Sequence, residues 1–256
     1  MTVVAESSVT HRSAPGTGRR IWNVVKLQFA NRWNMIAQPW IVIGGIFVLD
    51  FLIWFIINTS SNHDVSSTGS QYGAGVTYYI FIYMLVIAVQ AINLTFPFAL
   101  GYSVTRRDYY LGTCVAFLIE SAIFTAGYVI LSYIESWTNG WGYQMHFFHL
   151  ADFGSGPVWE RLFTIFALFL FCFFVGTVFA TMYVRWKMNG IIVLGGALGI
   201  VIVGAVALFT FTHEWEAVGR WFSSAGFTGV IAWSLVITVL AAVGGFLILR
   251  KATPRG

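Results

Sequence analysis

Three groups of residues in this chain have types and spacings that could do chemistry. Asp50 and Glu120 each stand in a long apolar run, where no lysine or arginine is available to pair with them. Acids inside a membrane-spanning stretch mark substrate or proton handling. The alternatives are a water-filled cleft beside them or hydrogen bonds to a neighbouring helix. His146, His149 and Asp152 read HFFHLAD, three residues apart each time, a spacing that could hold Zn²⁺ on one helix face. No fourth ligand is visible, and the simpler reading is polar residues in an aromatic-rich loop. The third group is GYSVTRRDYYLGT, with Arg106, Arg107 and Asp108 followed by Tyr109 and Tyr110. Two adjacent arginines cost roughly 2.5 to 3.5 kcal/mol each at a bilayer centre, so this stretch must turn in water.

Other chemistries lack their residues. The chain has no GxxxxGK[ST] loop for nucleotide phosphates and no HExxH, GxSxG or CxxC motif. Cys114 and Cys172 both fall inside apolar runs and read as small buried hydrophobes. No cofactor is expected in this chain, and an enzyme is the least expected class. The net charge of +4 sits between apolar runs, which is no argument for nucleic acid.

The elements that must position these residues are membrane helices. The chain is 58% hydrophobic and 9% charged, against about 25% charged residues in soluble domains. Its apolar runs are continuous over about twenty residues or more, the length of a helical crossing rather than of a barrel strand. The expected fold is an all-α membrane protein with six transmembrane helices. Residues 1–18 form a disordered cytoplasmic tail. A single transmembrane domain covers 19–251, and 252–256 close the chain as a short tail. The spans are about 39–57, 75–102, 111–133, 162–183, 188–212 and 227–249. No cleavable leader is visible, because the first twenty residues lack an apolar core.

Around the spans lie amphipathic pieces. In 19–36, Ile21, Val25, Phe29, Trp33 and Ile36 recur at helical spacing, which predicts an interfacial helix with its apolar face in lipid. The 134–161 stretch holds Trp137, Trp141, Tyr143, Phe147, Phe148, Phe153 and Trp159 and suits the outer interface. Residues 213–226 combine Trp215, Val218, Trp221 and Phe222 with charges, predicting a short outer re-entrant or interfacial helix before span six. In span two, Tyr79, Tyr83, Gln90 and Asn93 could line an amphipathic pathway with Asp50 and Glu120, and Pro97 predicts a kink. With both termini cytoplasmic, twelve of the fourteen Lys and Arg lie inside, leaving Arg161 and Arg220 outside. The protein is thus expected in a cell membrane, plasma or inner, crossing it several times.

The layout resembles the permease subunits of type-2 ABC exporters. It shares with them an amphipathic N-terminal helix, six spans, both ends inside, and a charged turn after span two. A short outer element before span six completes the likeness, and SVTRRDYYLGT is similar to the segment that follows span two in many bacterial members. The likeness covers most of 19–251 in layout, with few shared sequence motifs. The 134–161 stretch departs from it, being longer than the link expected between spans three and four. The resemblance implies a permease dimer docked on two cytoplasmic ABC ATPases, which would hold ATP and Mg²⁺. It implies a coupling role for Arg106, Arg107, Asp108, Tyr109 and Tyr110, and export of a drug, lipid or antimicrobial peptide. A membrane-embedded interaction or assembly protein is the alternative from another class. A secondary transporter is a third reading, weakened by the lack of an internal repeat.

Overall fold

The computed structural model describes residues 16–31, 33–60, 78–148 and 157–252. His149, Asp152 and Phe153, the start of the expected second span at 75–77, and most of the expected N-terminal tail lie outside these residues, as do Arg12, Arg32 and Arg255. Every regular element described is helical, and there is no strand among the described residues. The order is α1 (Thr17–Gln28), a π turn (Trp33–Ala37), α2 (Gln38–Ser60), α3 (Tyr79–Gly101) and α4 (Arg106–Trp137). A second π turn (Gly140–Gln144), α5 (Val158–Phe211) and α6 (Trp215–Arg250) follow. Five helices are long and apolar enough to cross a membrane, so this is a multi-pass membrane protein by length and composition.

Two of these helices are too long to be simple rods across a bilayer. α5 has 54 residues, about 80 Å at 1.5 Å per residue, against a hydrocarbon core of about 30 Å. It breaks at one residue, Lys187, with φ 57° and ψ −144°. No loop separates the expected spans 162–183 and 188–212: a single residue in the left-handed region redirects the axis. α6 breaks likewise at Gly226, with φ 64° and ψ 177°. That region is essentially reserved for glycine. A short arm of 215–225 thus precedes a long arm of 227–250.

The core lies between α3, α4 and the first arm of α5. Met84, Ile92, Phe96, Phe117, Phe124, Phe169 and Phe173 are all buried there. The Phe117 and Phe173 rings stack at 4.9 Å. Glycine sets the helix spacing: a Cβ on Gly176 of α5 would stand 2.6 Å from the Leu85 carbonyl oxygen of α3. In membranes, close backbone approach is the main source of helix association, because lipid offers no hydrophobic difference.

Three sequence expectations change at the periphery. The 101–113 stretch is mostly helix. Ser103 (φ 59°) ends α3 in the left-handed conformation, and Thr105 starts α4 by accepting the Asp108 N–H at 3.1 Å. α1 ends at Gln28 and packs on α4 rather than facing only lipid. Val24 and Val25 are buried, and a Cβ on Gly112 would stand 2.5 Å from Val24 Cβ. Lastly, the aromatic stretch after α4 does not lie flat at the interface. Asn139 (φ 52°) turns the chain back, and Met145, Phe147 and Phe148 bury themselves at 0%, 3% and 4% exposure. Phe47 of α2 receives them, 5.4 Å from the Phe147 ring and 5.9 Å from that of Phe148. Trp137, by contrast, is 87% exposed.

Candidate functional site

The four candidate residues of α3 lie on one face, opposite Thr95. At 100° per residue Tyr79, Tyr83, Gln90 and Asn93 fall within an arc of about 80°. That face points away from the core, whereas Met84, Ala88, Ile92 and Phe96 on the other side are completely buried. Tyr79 and Gln90 are exposed, and Tyr83 and Asn93 are half-buried. The Tyr79 and Tyr83 rings stack at 5.7 Å, and Asn93 Oδ1 has no hydrogen-bond partner in the chain. That oxygen is covered by the chain itself, so the groups the stripe presents outward are those of Tyr79 and Gln90, and a polar group facing hydrocarbon without a partner costs roughly 2 to 7 kcal/mol.

The two intramembrane acids are not on that stripe. Asp50 belongs to the inward face of α2 with Ile43 and Trp54. It sits in the turn between Phe47 and Phe51, whose rings meet Trp141 and Tyr143. Glu120 is fully buried on α4, and neither of its carboxyl oxygens has a hydrogen-bond partner. The six candidate pathway residues thus divide into an outward stripe of four and two separate inward acids.

At the other end of α4 the Arg-Arg-Asp-Tyr-Tyr group is mostly consumed by the fold. Tyr109 is fully buried; its hydroxyl lies 2.7 Å from Thr95 Oγ1. Gln28 of α1 joins them, donating to Thr113 Oγ1 at 3.0 Å and accepting from Thr95 at 3.4 Å. Tyr110 is buried too and donates to the Ala242 carbonyl of α6. Gly245 leaves the room, since a Cβ there would stand 2.9 Å from the Tyr110 hydroxyl oxygen. Arg106 donates to the last carbonyl of α6, that of Arg250, at 3.0 Å. A cation there also complements the negative end of the helix dipole. Asp108 is buried, with Arg20 of α1 3.9 Å away. Tyr109 and Tyr110 therefore offer no surface to a partner as this chain stands. Arg107, exposed, and Tyr102, 71% exposed, are what the junction presents outward.

Sequence reasoning missed a third polar centre, around Glu135. Its position in the 134–161 stretch places it beyond the expected third span, but α4 continues through it. Its carboxylate is fully buried and accepts the backbone N–H of Phe147 at 3.1 Å and of Phe148 at 2.7 Å. Trp141 Nε1 donates to it at 3.4 Å, and His146 Nδ1 lies 3.7 Å away. One acid thus fastens the whole returning segment. Beside it, buried Arg161 of α5 donates to Ser132 Oγ at 3.0 Å and covers the Tyr133 ring at 4.9 Å. A signal for Glu135 was available: it lies fifteen residues from Glu120, close to the same helix face. Among the described residues no group of three His, Cys, Asp or Glu could hold a metal ion. The expected zinc group cannot be judged there, because His149 and Asp152 fall outside those residues. No protein-family model matches the chain, and neither a curated protein nor a solved structure matches it.

Proposed function

We propose that the chain is the permease subunit of an ATP-driven exporter of the type-2 ABC kind. In this reading it crosses the membrane six times, because each arm of α5 makes one crossing and Lys187 is the turn between them. Both termini are then cytoplasmic, and the 215–225 arm of α6 is the short outer re-entrant helix. The observation that carries the reading is the outward stripe of Tyr79, Tyr83, Gln90 and Asn93. A polar face on the outside of a spanning helix is half of a pathway, and a second copy supplies the other wall. Its mixture of phenol rings and amides suits an amphipathic substrate such as a drug, a lipid or an antimicrobial peptide.

The inner junction supports the coupling part. α1, the start of α4 and the end of α6 are fastened to one another through Gln28, Tyr109, Tyr110 and Arg106. A push on Arg107 by a separate ATPase would therefore move three helices as a unit. Buried Tyr109 and Tyr110 carry the motion inward rather than anchoring the partner. The chain has no phosphate-binding loop, so ATP and Mg²⁺ belong to that ATPase.

Mass measurement of the complex purified from its own membrane should give two permease chains with associated ATPase activity. In vesicles, Gln90→Leu with Asn93→Leu should leave that particle assembled and abolish ATP-driven efflux of an amphipathic dye. A transport-competent particle with one permease copy, or undiminished efflux in the double variant, would sink the proposal.

A further inference from the structure

A second polar line runs inside the bundle, separate from the outward stripe. Glu120, Ser121, Thr125, Tyr128, Ser132 and Glu135 are all on α4 and all at most 3% exposed. On a helical projection they fall within an arc of about 140°. From Ser121 onward each step is three or four residues, an axial rise of about 4.5 to 6 Å. One bridging water spans about that distance with two hydrogen bonds. The line meets solvent at Glu135, where His146 stands 3.7 Å away with a side chain 38% exposed. In the other direction it stops. The next hydroxyl, Thr113, is seven residues and about 10 Å away, and it is already bonded to Gln28 and to the Tyr109 carbonyl. The stacked rings of Phe117 and Phe173 fill the interval.

The unmet bonding capacity on this line is concentrated at its closed end. Both Glu120 oxygens, Ser121 Oγ and Thr125 Oγ1 lack a partner in the chain. This is not the habit of hydroxyls in this bundle: Thr95, Thr113 and Thr177 each bond back to the carbonyl four residues earlier. No ion pair among the described residues includes Glu120. Of the helices packed against α4, α2 stacks Trp40 on Phe124 at 5.5 Å and carries Asp50, whose carboxyl interacts electrostatically with Glu135 at the open end of the line. α3 carries no Asp, Glu, Lys, Arg or His, and its only phenols are Tyr79 and Tyr83. α5 carries Glu160 and Arg161 in its first turn and Arg185 and Lys187 at its joint, with Cys172 and Tyr183 between. α6 has Glu216, Arg220 and Arg250, and α1 has Arg19, Arg20 and Lys26, all near the ends of the bundle.

We propose that Glu120 is a proton-binding site reached from the Glu135 end of the bundle, with Ser121, Thr125, Tyr128 and Ser132 as the relay. A proton is the ligand because Glu120 has no accessible surface. A metal ion or an amine needs an opening, whereas a proton moves by exchange along hydrogen bonds. The step is balanced: a proton from water at the His146 and Glu135 end is exchanged from hydroxyl to hydroxyl through one bridging water at each step, each group releasing one proton as it takes up another, and the carboxylate of Glu120 takes up the last. The reverse path returns it to the same side, because Phe117 closes the other. The inference does not rest on the exporter reading, and a chain that binds no ATPase would still carry the site.

Infrared difference spectra of the full chain, reconstituted in vesicles of one orientation, test this. A pH step on the Glu135 side should change a protonated-carboxyl band that shifts in heavy water and is missing in Glu120→Gln. The same step on the opposite side should leave it unchanged. Ser121→Ala with Thr125→Val should slow the response by roughly a hundredfold, the low end of what a positioned proton-transfer group contributes. If Glu120→Gln does not fold, the sidedness and the deuterium shift in the unaltered chain still decide. Equal response from both sides, no band, an undiminished rate in the double variant, or loss of the band on adding Na⁺ at constant pH would overturn the proposal.

Discussion

The two arms of α5 share one helix and one kind of composition, yet they live in opposite surroundings. In 158–186, Ile165, Ala167, Phe169, Phe173 and Ala180 are completely buried, and Gly176 lets α3 approach. In 188–211 only Gly190 is buried; Ile200 and Val203 are 75% and 68% exposed. Gly195, Gly196, Gly199 and Gly204 meet nothing within 4 Å. The difference teaches that apolar content decides membrane residence but not which helix faces protein. The first arm belongs to the core of the chain. The second is covered by whatever surrounds the molecule.

The largest expected effect tests that division directly. Phe173→Ala should destabilise the protein by about 3 to 5 kcal/mol, because its neighbours Phe117 and Phe169 cannot fully collapse into the gap. Ile200→Ala should change stability by less than about 0.5 kcal/mol in detergent. Paired denaturation curves in detergent compare them, and equal losses would erase the distinction between the arms. Glycine substitutions give a smaller version. Gly176→Ala places a Cβ against the Leu85 carbonyl, 2.6 Å away, and should cost about 1 to 3 kcal/mol by overpacking. Gly199→Ala should be neutral or slightly stabilising, by up to about 1 kcal/mol, since alanine is the better helix former. A neutral Gly176→Ala would mean that α3 and α5 are further apart than described.

The last test concerns the joint between the arms, with an effect no larger than that of Gly176→Ala. Lys187 holds a backbone conformation costly for any residue with a side chain, of order 1 to 3 kcal/mol. Lys187→Gly should therefore raise the unfolding temperature, while Lys187→Val should lower it. An unchanged or lower value for Lys187→Gly would show that the break is held for the lysine charge rather than against its backbone preference.

Some of this was fixed by residue type alone. The apolar runs without charge can only be membrane helices, and clustered arginines can only sit at their ends. The turn between 183 and 188 and the start of a span at 227 were also legible, from charge in the first case and from the onset of an apolar run in the second. The inward facing of Asp50, the outward facing of Gln90 and the burial of Tyr109 and Tyr110 were not. Helices that are apolar nearly all round, such as α2 and the second arm of α5, carry almost no periodic signal saying which side meets protein, and on α3 the polar stripe is periodic but does not say whether it turns inward or outward. That choice came from tertiary contacts between distant segments. Gly112 admits Val24, Gly245 admits Tyr110, and Glu135 collects the amides of Phe147 and Phe148. A small residue or a buried acid gains its meaning only from what approaches it, and local sequence does not name the visitor.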